Sequence, residues 1–146
     1  MADPASTLGT HLRHEFQDLD LLGQALTHSS YANEHPGAPD NERLAFLGDA
    51  VLALVVAEHL WKTAPGESVG LLTPRRSEIV SGANLARWAG RLGLGALLHL
   101  GKGEQSMGGR TKESLLATAL EAVVAVVYLE GGLPAATRAI ARLALW

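Results

Sequence analysis

The sequence contains no cysteine, and only 5% of its 146 residues are aromatic. The absence of cysteine excludes a disulfide scaffold, a cysteine-ligated zinc or iron–sulfur site and a thiol nucleophile. Because aromatic residues are scarce, the core must consist mainly of Leu, Ala and Val. The formal net charge of -3 excludes a domain that holds nucleic acid by its overall positive charge. Any contact with a nucleic acid would need a local basic patch.

Apolar residues, in contrast, are abundant. Hydrophobic residues make up 47% of the chain and charged residues 18%, a balance that supports a core and argues against global disorder. The length is that of one ordinary domain, so we predict a single domain over residues 1–146. The first six residues lack the basic and apolar segments of a secretory signal. Because uninterrupted apolar runs fall short of about 18 residues, we expect a cytoplasmic protein with no membrane contact.

Glycine and proline divide the sequence into helical segments, and strand-like alternation is almost absent, so we predict an all-α fold. The first helix is predicted to start after Ser6 or Thr7, either of which can cap it. Thr73 and Pro74 are predicted to be the N-cap and first turn of a helix that is interrupted near Gly82. Further helices are predicted over 19–28, 41–61, 111–130 and from 134 to the end, with loops at 34–40 and 101–110.

Two of the predicted helices are apolar on nearly all sides, yet each carries an acidic residue in its interior. On the first, Asp49 shares a face with Glu42 and Ala45, since these positions are three and four residues apart. On the second, Glu121 follows Thr118 by one turn. Two carboxylates on buried helices suit a shared Mg²⁺ or Mn²⁺ site. They suit equally well structural acids that are satisfied by hydrogen-bond donors or by arginine.

Four segments match, in order, the motifs of one protein family. They are LTHSSY at 26–31, NERLAFLGDAVL at 41–52, GKGE and GGR within 101–110, and an acidic helix at 116–132 that ends in Tyr-Leu-Glu-Gly-Gly. With these motifs the chain resembles the catalytic domain of ribonuclease III over essentially its whole length. The resemblance implies an all-α homodimer that cuts double-stranded RNA with a divalent metal and leaves short 3′ overhangs.

The resemblance also implies a metal site, and there this chain departs from the family. The family's four carboxylates, in the order Glu, Asp, Asp, Glu, fall at positions 45, 49, 118 and 121. The residues found at these positions are Ala45, Asp49, Thr118 and Glu121. The remaining metal ligands would be Asp49 and Glu121, supported by Glu42. We therefore expect Mg²⁺ or Mn²⁺ to bind weakly or not at all.

Two functions follow from the resemblance. We favour a catalytically dead or impaired relative that acts as a dimeric RNA- or protein-binding module, because Ala45 supplies no ligand and Thr118 only a neutral hydroxyl. The alternative is an active Mg²⁺-dependent endoribonuclease that processes double-stranded RNA, with Asp49 and Glu121 as its catalytic residues. A third arrangement is a heterodimer in which an intact paralogue supplies the working centre.

Several cationic side chains are candidates for contacts with RNA. The candidate RNA-binding residues are Arg75, Arg76, Lys102, Arg110 and Lys112. A phosphate contact needs only a positioned cation, but we expect weak binding because the chain is net acidic.

The predicted helix at 41–61 is apolar on several sides, with Phe46 on one of them. Such a helix must be covered by its own chain or by a partner. We therefore predict that it lies at the interface of a homodimer.

Overall fold

Eight α-helices and two short 3₁₀ turns make up the regular structure of residues 3–146, the part of the chain that the computed structural model describes. In chain order they are α1 (Pro4–Leu12), α2 (Leu19–Ala25), α3 (Ser29–Glu34), α4 (Glu42–Thr63), α5 (Val69–Ile79), α6 (Gly82–Arg91), α7 (Lys102–Ser106) and α8 (Glu113–Ala144), with the 3₁₀ turns at Leu94–Leu97 and Gly109–Thr111. Within this range the one extended pairing is an isolated parallel bridge between Thr27 and His99. The predicted all-α fold is confirmed. Met1 and Ala2, which we assigned to the same domain, lie outside the described residues.

The two longest helices, α4 and α8, pack against each other and form the centre of the fold. In the first half of α8 nearly every side chain is buried, and Leu120, Val123 and Val126 are fully enclosed. The other helices cover this central pair, with Leu85 and Trp88 of α6 contributing to the same core. Each such side chain contributes roughly 1.5–3 kcal/mol when it is buried. The apolar character of α8 on all sides is therefore explained by its central position.

Both central helices are long and apolar enough, by length and composition alone, to cross a membrane. The expectation that no segment spans a membrane rested on uninterrupted apolar runs, which single acids such as Asp49 and Glu121 break. In the structure, 61% of the most apolar stretch of α8 and 44% of that of α4 are buried inside the fold. Packing thus accounts for most of the apolar surface of α8, whereas α4 keeps a large uncovered part.

The structure differs from the sequence prediction at three places. Helix α1 starts at Pro4 rather than after Ser6 or Thr7, because a proline at the first helical position needs no hydrogen-bond partner for its nitrogen. Pro74 lies in the interior of α5 and not in its first turn. The predicted loop at 101–110 contains α7 and a 3₁₀ turn, so its glycines separate short helical turns.

Two predicted helix breaks are confirmed. Helix α6 begins at Gly82, where the hydroxyl of Ser81 caps the helix by accepting a hydrogen bond of 3.2 Å from the backbone N–H of Asn84. Helix α8 is kinked at Gly132, whose φ of 71° and ψ of -167° are not helical. Pro134 then starts the second part of α8, as the sequence predicted.

Glu130, just before this kink, ties α8 to the segment between α1 and α2. Its carboxylate accepts a 2.7 Å hydrogen bond from the backbone N–H of Asp18 and a 3.1 Å bond from that of Gln17, and it lies 2.8 Å from Nε2 of His14. Burial raises the pKa of Glu130. Hydrogen bonds from Asp18, His14 and Gln17 outweigh this effect, so the net result is a lowered pKa. The ionised carboxylate is therefore the form that stabilises the fold.

Glu130→Gln should lower the free energy of unfolding by about 1.5–3 kcal/mol, the usual contribution of hydrogen bonds to a charged group. Because the folded-state pKa lies below the ordinary value of 4.5, the ionised group stabilises the protein above that pH. This stability is lost as the pH falls through the folded-state pKa. Urea unfolding should therefore reveal a larger effect at about pH 7 than at about pH 3. Glu15→Gln is the exposed control, and equal losses for Glu130→Gln at both pH values would contradict this role.

Candidate functional site

The crossing of α4 and α8 depends on a glycine. Gly48 lies directly against the backbone of Glu121, and a Cβ atom at position 48 would overlap the carbonyl oxygen of Glu121. Only glycine permits two helix backbones to approach this closely. Asp49 follows Gly48 on α4, so its side chain leaves the helix next to the point of contact. The crossing thereby brings Asp49 and Glu121 together, as the sequence analysis predicted for a shared polar site.

The carboxyl groups of Asp49 and Glu121 share a hydrogen bond. Burial raises the pKa of Glu121 to about 8, and the hydrogen bond to Asp49 and its negative charge act in the same direction. Asp49 itself is exposed, whereas Glu121 is half-buried. The raised pKa of Glu121 therefore favours its protonated form at neutral pH.

The two substituted positions add no further ligand. Ala45 is buried and has no donor atom. The hydroxyl of Thr118 donates a 2.8 Å hydrogen bond to the carbonyl of Ser114 in its own helix, which is the usual arrangement of a threonine inside a helix. Glu42 is exposed in the first turn of α4. Between residues 3 and 146 no group of three or more His, Cys, Asp or Glu side chains is arranged to hold a metal ion.

These residues do not fit the divalent metal that the family resemblance implies. Mg²⁺ and Mn²⁺ bind oxygen ligands, and carboxylates supply the negative charge that holds them. Here only two carboxyl groups meet, and neither Ala45 nor Thr118 supplies a further charged oxygen. The expectation of a weak or absent metal site rests on this geometry and stays a prediction.

The candidate RNA contacts lie on two separate parts of the surface. Arg75 is exposed on α5, and Arg76 is half-buried beside it. Lys102 is exposed at the start of α7, and Nζ of Lys112 lies 3.5 Å from Oε1 of Glu104. Arg76 lines a groove together with Trp61 of α4.

Arg110 has a structural role that its position in the sequence did not reveal. Its Nη1 donates hydrogen bonds to the carbonyls of Gly95 at 3.0 Å and Leu98 at 2.8 Å, and its Nη2 donates to Gln105 at 3.3 Å. These bonds tie the 101–110 segment to the turn before it. Because most of its donors are occupied, Arg110 is a poorer candidate for an RNA contact than we expected.

Helices α4 and α5 expose a set of large apolar side chains, which we call the apolar face: Phe46, Leu54, Trp61, Val69 and Leu71. Phe46 is 83% exposed, Trp61 76% and Val69 74%. A groove of about 240 Å³ lies on this face and is lined by Ala57, Leu60, Trp61, Val69, Leu72, Thr73 and Arg76. The sequence pattern predicted an uncovered side of α4 but not the groove. The predicted helix began at Thr73, so Val69 and Leu72, which line the groove, were not expected to be helical.

Comparison with known proteins identifies the family. Residues 18–145 match the family model described as ribonuclease-III-like. The chain belongs to the ribonuclease III family. The ribonuclease 3 of Caldanaerobacter subterraneus is 49% identical over 130 residues, which are 88% of this chain and 57% of that protein. The ribonuclease 3 of Heliobacterium modesticaldum is 52% identical over 124 residues, 84% of this chain and 53% of that protein.

A solved structure of this family has the same fold. It is the nuclease domain of ribonuclease III from Campylobacter jejuni, described for structural flexibility in the region involved in dimer formation. Its TM-score is 0.88 at 39% sequence identity, and the match covers 94% of this chain and 93% of that one. The present chain spans a little over half the length of the curated ribonucleases that it matches. The resemblance read from the motifs is confirmed.

Glu121→Gln should stabilise this ribonuclease III-type domain increasingly as the pH rises. The folded-state pKa of Glu121 is about 8 and its ordinary value is 4.5, so the folded protein keeps a proton that the unfolded chain releases. The parent therefore loses stability as the pH rises between these two values, whereas the Gln variant does not. Urea unfolding from about pH 5 to about pH 9 measures the difference between the two proteins. Glu42→Gln, which removes an exposed acid from the same α4 face as Asp49, is the control, and a constant difference for Glu121→Gln would contradict the raised pKa of Glu121.

Proposed function

We propose that this chain is a ribonuclease III-type domain that cleaves RNA poorly or not at all and acts as a dimeric module that binds double-stranded RNA. The observation that carries this proposal is the Asp49–Glu121 pair. Where the family resemblance implies four carboxylates, this pair is accompanied only by Ala45, which has no donor atom, and Thr118, whose hydroxyl donates a hydrogen bond to the carbonyl of Ser114. The most direct support is thus the chemistry of the site itself, which family membership does not determine.

A phosphodiester is hydrolysed by metal ions only where a site holds the metal in a defined geometry and neutralises charge on the leaving oxygen. Position 45 lacks an oxygen atom, and the hydroxyl at position 118 is engaged with the backbone of Ser114. With two carboxyl groups in place of four, Asp49 and Glu121 supply at most half of the negative charge that would hold a divalent ion. We therefore propose that the ancestral activity is lost or strongly reduced.

Binding of RNA is proposed from the basic side chains that remain available. Arg75, Arg76 and Lys102 form no salt bridge with any residue from 3 to 146. Phosphate groups of a duplex are the natural partners of such cations, because an arginine donates two parallel hydrogen bonds to them. The net charge of -3 keeps this binding weak. We place the protein in the cytoplasm.

We propose that two copies pair through the apolar face. This face combines the protruding ring of Phe46 with a groove beside Trp61. A two-fold interface brings the same patch of both copies together, so a patch that has both a projection and a hollow suits it. The Campylobacter nuclease domain, whose fold this chain shares, is described as having a region involved in dimer formation. A homodimer is therefore the favoured assembly.

Restoring the two missing acids should create metal-dependent nuclease activity. Ala45→Glu and Thr118→Asp together should yield cleavage of a long duplex RNA with Mg²⁺ or Mn²⁺, because the new side chains join Asp49 and Glu121 at the α4–α8 crossing. Either substitution alone should restore far less, since three ligands still leave the ion poorly held. Gel analysis of the products, with and without EDTA, measures the activity.

Two controls decide how that experiment is read. Asp49→Ala in the doubly restored protein should abolish the new activity. The parent protein should be inactive under the same conditions. Robust Mg²⁺-dependent cleavage by the parent, if it disappears in Asp49→Ala, would overturn the proposal in favour of an active endoribonuclease.

The Arg75 and Arg76 pair should account for a measurable part of RNA binding. Replacing both by Glu should weaken binding of a short duplex and reduce the slope of log K against log salt by roughly 0.7–0.9 for each lost phosphate contact. Fluorescence anisotropy at several salt concentrations measures both quantities. The double variant Arg87→Glu and Arg91→Glu on α6 carries the same charge change as a control. If the α5 variant binds like the parent at every salt concentration, this pair does not contact RNA.

A further inference from the structure

We infer that α5 is a conditional helix, one that the second copy of the chain orders when the dimer forms, so that dimerisation presents Arg75 and Arg76 to RNA. The inference rests on the dimer of the proposed function. It adds that the monomer and the dimer differ in the folding of one helix, and that RNA binding and assembly are coupled through it.

Helix α5 lacks the burial that normally stabilises a helix of its length. It has 11 residues, and none of them is buried. Helix α6 is one residue shorter, yet it buries Leu85, Trp88 and Ala89 in the core. In water an isolated helix shorter than ~12–15 residues is marginal, and in proteins most helical stability comes from packing of an apolar side. Within a single copy of the chain, only the end of α5 is held, because Ile79 packs against the core and Nδ2 of Asn84 donates a 2.7 Å hydrogen bond to its carbonyl. The rest of the helix has little to hold it.

The sequence of α5 also opposes helix formation. Pro74 lies in its middle and has no N–H group to donate to the carbonyl of Gly70 four residues earlier. Gly70, in the first turn, has the largest backbone entropy to lose on folding. Ser68, at the N-cap position, makes no side-chain capping hydrogen bond. These features make α5 intrinsically less stable than a typical helix.

In a dimer, the apolar face of the second copy can supply the burial that α5 lacks in its own chain. Val69 and Leu71 point outward, and Leu72 lines the groove together with Trp61 of α4. A second copy is the occupant that this geometry favours, because the same continuous face carries the protruding Phe46 and the groove that can receive an apolar side chain. Contact with that copy would bury the uncovered side of α5 and stabilise its folded form.

Ordering of α5 has a consequence for RNA. Arg75 and Arg76 lie one and two residues after Pro74 on this helix, so they have a defined position only when the helix is formed. A ligand that binds the ordered form also favours the state in which the helix is ordered. Because such coupling is reciprocal, duplex RNA should tighten the dimer by the same factor by which dimerisation tightens RNA binding.

Hydrogen–deuterium exchange of the full chain at several protein concentrations tests this inference, with sedimentation to establish the oligomeric state of each sample. Amides of 69–79 should exchange at least about tenfold more slowly in the dimer than in the monomer. Amides of α6 should change little. Phe46→Glu, on α4 and outside the helix under test, should keep the protein monomeric and leave 69–79 unprotected at all concentrations.

Pro74→Ala should have the opposite effect to Phe46→Glu, because it stabilises α5 in the monomer. It should restore the missing hydrogen bond, protect 69–79 in the monomer and lower the dimer dissociation constant by about tenfold or more, since less ordering remains to be done on assembly. Pro36→Ala, in the exposed loop before α4, is the matched control and should alter neither quantity.

Equal protection of 69–79 in the monomer and dimer of the parent would overturn the inference while leaving the dimer in place. A parent that stays monomeric at every concentration would overturn the proposed dimer, and the inference with it.

Discussion

The contact between Gly48 of α4 and the backbone of Glu121 in α8 is the constraint on which the rest of the structure depends. It sets how closely the two central helices cross, because any side chain at position 48 would force them apart. The same contact determines where Asp49 and Glu121 meet. Packing of the core and formation of the acidic site therefore depend on the same contact. A substitution that separated α4 from α8 would also separate Asp49 from Glu121.

The chemistry of the site follows from its burial and from the charges around it. In a cluster of four carboxylates, the mutual repulsion of the acids is relieved by a metal ion. With Ala45 and Thr118 at the other two positions, only Asp49 and Glu121 remain, and the pKa of Glu121 is raised mainly by burial and further by Asp49. The scaffold of a nuclease is thus retained while its central charge is reduced.

The uncovered part of the molecule lies on the side of α4 opposite the core. The first half of α8 is almost entirely buried, whereas α4 keeps Phe46 and Trp61 in solvent and α5 adds Val69. A single copy of the chain leaves this apolar surface without cover and leaves α5 with little support. The proposed dimer would cover the apolar surface and stabilise α5 through the same contact. The proposed ordering of α5 therefore accompanies the proposed dimer.

Much of this protein could be read from the sequence alone. Helical periodicity, the breaks at Gly82 and Gly132 and the family motifs all depend on local sequence, and these predictions agree with the structure. Local rules failed where a tertiary contact outweighed them. Pro74 was predicted in a first turn, the position that suits proline best, but α5 starts earlier and contains it in its interior.

Other properties depend on distances that a sequence does not contain. Whether Arg110 is free or bound to the carbonyls of Gly95 and Leu98 is decided by where the chain folds back. The same holds for the raised pKa of Glu121, since it depends on burial and on the closeness of Asp49, which is 72 positions away in the sequence. Residue types and their spacing determined the helices, the family and the two surviving acids. Only the tertiary structure decided the charge on those acids and which surface was left uncovered, because both are set by packing between distant parts of the chain.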